Sequence, residues 1–102
     1  MNHDLIVEFI YENKKSISFL EKALLSGNQE KVNDIVHSIK GSALSIGAVS
    51  LKMMCRRLEK LGKADLEAYP EEIIQQFSHA FSLLCEQLEE YRQKRLELME
   101  ST

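Results

Sequence analysis

The chain of 102 residues has no tryptophan, one proline and four glycines. With so few breakers, and no strand-like alternation of apolar and polar residues, it reads as long helices rather than as a sheet with many turns. No apolar run approaches the roughly 18 residues a membrane span needs, and the N-terminus has no signal-peptide profile. A cytoplasmic protein without membrane association is expected. Cysteine is scarce too. Cys55 and Cys85 stand too far apart for a metal-ligand spacing, so free thiols that pack in a reducing compartment are the plain reading. Positive charge is not in excess: 13 Lys and Arg against 16 Asp and Glu leave a net charge of −3, which argues against nucleic acid as a partner. Hydrophobic residues at 44% and charged residues at 28% are an ordinary globular balance. At this length they can build one core without staples. A single domain over residues 1–102 is expected, with a monomer as the simplest state.

What is present is helical periodicity. From Leu5 to Leu25 the apolar residues Leu5, Ile6, Phe9, Ile10, Ile17, Leu20, Ala23 and Leu24 form one stripe. Asp4 suits its N-cap and Gly27 its stop, while Asn28 can cap the next helix. That second helix runs from Gln29 to about Ile46, burying Val32, Ile35, Val36, Ile39, Ala43 and Ile46, and ends at Gly47. A third, from Val49 to about Leu61, buries Leu51, Met54, Cys55 and Leu58 and stops at Gly62. Residues Lys63 to Tyr69 read as a link to Pro70, which suits a helix's first position. Glu71 and Glu72 then complement the helix dipole. The fourth helix carries Ile73, Phe77, Ala80, Phe81, Leu84, Leu88 and Tyr91 inward. Short connections between four amphipathic helices predict an all-α, up-down-up-down antiparallel four-helix bundle over about residues 4–91. A tail over about 92–102 is expected to fray or project.

The segment VHSIKGSALSIGA, from Val36 to Ala48, does not follow from folding alone. At about 100° per residue, with Val32 as the core direction, His37 falls near 140°, Gly41 near 180°, Leu44 near 120° and Lys40 near 80°. The histidine therefore points away from the core. A lone surface histidine is ordinarily a solvated side chain with no task. Here it stands beside a cation one turn on, an exposed leucine and a glycine. Glycine inside a helix costs about 1 kcal/mol relative to alanine. One turn from His37, it leaves clearance for something bulky to approach the ring.

The string HSIKGSALSIGA, followed by LKMMCRRLEKLGK, resembles the signature of histidine-containing phosphotransfer (HPt) domains, helical bundles that relay phosphoryl groups in two-component signal transduction. The likeness lies in the H-x-x-K-G core at His37, Lys40 and Gly41, in the small Ser42 and Ala43, and in the Gly47-Ala48 turn. The Leu51, Cys55, Leu58 and Gly62 register also fits, while the flanking helices match in pattern only. The resemblance implies a phosphorelay protein. His37, on the second long helix, would accept a phosphoryl group from the aspartate of a receiver domain and pass it to the aspartate of another. The attacking nitrogen in this family is Nε2. Imidazoles titrate close to cytoplasmic pH, so the neutral nucleophilic form is accessible. Lys40 would offset phosphoryl charge, and Gly41 would admit the partner's loops. Ser42 is a possible neighbour of the site, although it lies to one side of the wheel.

The chain has no P-loop, no glycine-rich ATP lid and no magnesium cluster on the signature helix. A phosphoryl carrier without autokinase activity is expected, with no cofactor or metal of its own; the receiver would supply Mg²⁺ and most of the catalysis. On the third helix Lys52 and Arg56 share a side with Lys60 and Lys63. Such a stripe is ordinarily just solvated. It could also steer the domain to an acidic receiver rim, with Leu44 giving apolar contact, so the expected docking surface is Leu44, Lys52 and Arg56. Some relatives have glutamine where Glu59 stands, and a carboxylate would repel phosphate, so Glu59 is expected to pair with Lys40 or Lys63 instead. His3 and His79 read as surface side chains. Two other readings stay open. One is the HPt segment of a hybrid or chemotaxis-type histidine kinase, against which the initiating Met1 and apparently whole bundle weigh. The other is a helical adaptor that binds a response regulator without being phosphorylated.

Overall fold

The computed structural model describes residues 5–101, apart from the side chain of Lys63. Asp4 and His3 lie outside the described residues. The chain is all-helical, with α1 Leu5–Ser26, α2 Gln29–Ile46, α3 Val49–Lys60, α4 Lys63–Ala68 and α5 Pro70–Glu100. No strand occurs among the described residues.

The first two turns share one construction. Gly27 takes φ 71° and Gly47 takes φ 75°, the left-handed region that glycine enters without penalty. Gly27 N–H donates to Leu24 O at 3.2 Å and Asn28 N–H to Ala23 O at 3.0 Å. Twenty residues on, Gly47 N–H donates to Leu44 O at 3.3 Å and Ala48 N–H to Ala43 O at 2.8 Å. Both pairs close the last carbonyls of a helix in a Schellman turn. Asn28 then caps α2, its side-chain oxygen accepting Lys31 N–H at 3.1 Å.

These turns fold α2 back onto α1 and α3 back onto α2, and α5 packs across α1 and α3. The shared core holds Leu20, Val36, Ile39, Leu51, Cys55 and Phe77, all almost fully buried. Phe9 and Phe81 join α1 to α5 with ring centroids 6.4 Å apart. Asn13 is the buried polar residue among those described, and its amide donates to Phe9 O at 2.9 Å within its own helix. The group is thereby satisfied without a partner from another element.

Three expectations need correction. The stretch after Gly62 is not a plain link: KADLEA forms α4, and Leu66 drops into the core beside Ala23, Leu24 and Val32. Apolar burial outweighs the weak nucleation of so short a helix. Leu5 is exposed rather than buried. Tyr91 also points to solvent. Burial along α5 fades after Leu88, since no other helix runs alongside. The C-terminal stretch, expected to fray or project, is helical. It continues as helix to Glu100 and gives the molecule its 55 Å length against a cross-section of 22 × 19 Å.

Candidate functional site

Burial of Val32, Val36, Ile39 and Ala43 fixes the rotation of α2. His37 is consequently thrown outward, with 78% of its side chain exposed. Gly41 and Leu44 follow it along the exposed face. A Cβ added at Gly41 would meet no atom within 4 Å. Nothing inside the molecule requires glycine there, so the helix carries its cost without a packing return.

Lys40 leaves this face and reaches across to α3. Its ammonium donates to Glu59 Oε1 at 2.8 Å and to Oε2 at 3.1 Å. Glu59 Oε2 also stands 3.8 Å from His37 Nδ1. That is too long for a hydrogen bond but close enough for charge to be felt. The Lys40 hydrogen bond holds the Glu59 carboxyl below the usual carboxylate range; desolvation opposes this, and the charge of Lys40 and the proximity of His37 add to it. Nδ1 is thus the ring nitrogen turned toward the acid.

The other expected site residues divide around this centre. Ser42 is half-buried and lines a groove against α1 with Leu5, Phe9, Asn13 and Ser45, whereas Lys40 turns toward α3. Leu44 is 57% exposed. On α3 Arg56 and Lys60 are exposed and Lys52 is half-buried. Lys63 begins α4 rather than continuing α3, and its side chain lies outside the described residues. His79 is exposed, Cys55 buried and Cys85 half-buried. Burial, with a smaller push from Glu59 and an opposing pull from Lys40, raises the Cys55 thiol to about 12. It is a packing group, not a nucleophile.

Glu59 is the residue that sequence reasoning left outside the firm site. Its signal was position: it follows Leu58 and lies one turn past Cys55, at the edge of the buried stripe of α3. Which lysine it meets depends on how α2 and α3 pack. The completed arrangement can present a ring nitrogen to an external electrophile, with a cation nearby to offset negative charge. Among the described residues, no three His, Cys, Asp or Glu side chains converge as a metal ion would require. No described helix is long and apolar enough to cross a membrane.

The family model of the Hpt domain matches residues 4–94. Comparison with curated proteins finds no match, and neither does comparison with solved structures. The chain belongs to the Hpt domain family, and membership implies histidine phosphotransfer in two-component systems through interaction with receiver domains.

Proposed function

We propose, from membership of the Hpt domain family, that this chain is a phosphorelay carrier. His37 accepts a phosphoryl group from the aspartate of one receiver domain and passes it to the aspartate of another. The observation that carries this reading is the bare imidazole of His37 beside the unfilled Cβ position of Gly41. A helix surface that gives up stability for empty space beside a nucleophile is shaped for a visitor.

The chemistry follows from that geometry. The Nε2 lone pair attacks phosphorus, the N–P bond forms as the acyl O–P bond breaks, and the aspartate leaves as a carboxylate. Return of the N–P electron pair to Nε2, with bond formation to a second aspartate oxygen, completes the relay. Such transfers are governed by positioning and charge neutralisation. The chain supplies the nucleophile and Lys40, while the receiver supplies Mg²⁺ and most of the catalysis, so the protein is a carrier and not a kinase. In this reading α1, α2, α3 and α5 form an up-down-up-down bundle. Leu44 gives the receiver an apolar contact, and Lys52 and Arg56 of α3 supply positive charge for its acidic rim. The carrier acts in the cytoplasm as a monomer.

The test is incubation with phosphorylated receivers. Label should move to an acid-labile, base-stable adduct on the wild-type chain. His37→Gln, which alters an exposed side chain, should keep its helicity and thermal midpoint and take up no label. A receiver that binds but never transfers would identify an adaptor. Label retained by His37→Gln would move the site elsewhere.

A further inference from the structure

A lysine that is to neutralise a phosphoryl group needs a free ammonium, and that of Lys40 is already engaged. Glu59 grips it through both carboxylate oxygens, at 2.8 and 3.1 Å. The pair is partly shielded, with 24% of the lysine and 30% of the glutamate side chain exposed. The same carboxylate lies 3.8 Å from His37 Nδ1, so a phosphoryl group on the other nitrogen of that ring arrives near a group of like charge. An ammonium has three donors and can bridge two anions, but only by holding them near each other. Either Lys40 loosens its hold on Glu59, or two negative groups share one cation. Both options cost the phosphorylated state stability that the unphosphorylated state keeps.

We propose that Glu59 competes with the phosphoryl group for Lys40, lowers the stability of the phosphohistidine, and so biases exchange toward release onto an acceptor aspartate. The proposal rests on the reading of His37 as the phosphorylated residue. No additional reactant enters: the N–P and acyl O–P bonds exchange as already described, while Lys40 and Glu59 change partners without changing charge. Glu59 is a positioning residue that acts through Lys40. A neutral amide of the same size would leave the ammonium free for phosphate.

The experiment measures the equilibrium ratio of phosphorylated carrier to phosphorylated receiver, approached from both sides, with a receiver that exchanges label with the wild-type chain. Partly exposed ion pairs are modest, so Glu59→Gln should shift the ratio toward phosphohistidine by about two- to fivefold. Glu59→Ala should shift it the same way. In a Lys40→Ala background the contested cation is gone, and Glu59→Gln should then have less than half its effect on a logarithmic scale. A ratio that stays put, or moves toward the receiver, overturns the proposal. An undiminished effect without Lys40 also overturns it, because direct repulsion would then be the cause. Failure of the wild-type chain to carry label on His37 with any receiver overturns both the phosphocarrier reading and this inference, whereas label with an unmoved ratio overturns this inference alone.

Discussion

At Gly41 the helix forgoes about 1 kcal/mol relative to alanine, yet a Cβ there would touch nothing within 4 Å. Gly41→Gln should therefore stabilise the fold by about half a kcal/mol or more, read as a rise in thermal midpoint. It should also slow label uptake from a phosphorylated receiver sharply, because the new side chain occupies the ground beside His37. An unchanged transfer rate would remove clearance as the explanation. His37, Gly41 and Leu44 were legible in the sequence because a helix rotates about 100° per residue, so the buried set Val32, Val36, Ile39 and Ala43 dictates what faces solvent. For Glu59 the sequence offered two partners, Lys40 and Lys63, and the choice between them was not legible. Glu59 is 19 positions from Lys40, and the contact depends on the relative rotation and height of two helices.

Among the elements, α2 matches its expected bounds because both ends carry local signals, Asn28 before it and Gly47 after it. Gly47→Ala tests the second of these. With φ at 75° and open space around the position, the substitution meets backbone strain and no crowding. It should cost about 1–2 kcal/mol, measured by urea or thermal denaturation. α4 escaped the sequence reading because six residues carry little periodicity, and burial of Leu66 against α1 and α2 holds it in place. Tyr91 fits the apolar period of α5 as well as Leu88 does. Its exposure reflects where the neighbouring helices end, which no pattern within α5 records.

Across the whole molecule the core couples stability to pH through Cys55. Burial raises its thiol from an ordinary value of 9.0 to about 12. Between those limits the folded protein keeps a proton that the unfolded chain releases. Because the folded-state value is the higher one, stability linked to Cys55 is fully present below about pH 9 and is lost as pH rises toward about 12. Cys55→Ala should be less stable at pH 7, from lost packing, but should lose less on going to pH 10.5 than the wild-type chain does. Denaturation at the two pH values checks this, and an equal alkaline loss in both proteins would exclude Cys55 as its source.

The sequence by itself determined the helices of about 5–26 and 29–46, their glycine stops, the bare histidine with its cation and empty neighbour, and the family those residues resemble. These rest on periodicity and on bonds within a few residues, which act wherever the segment ends up. Only the tertiary structure decided that Glu59 would take the ammonium of Lys40, that Leu66 would turn a link into a helix, and that α5 would outrun its neighbours. Each of these needs surfaces from distant parts of the chain to meet, and meeting is a property of how helices pack, not of the order of residues along any one of them.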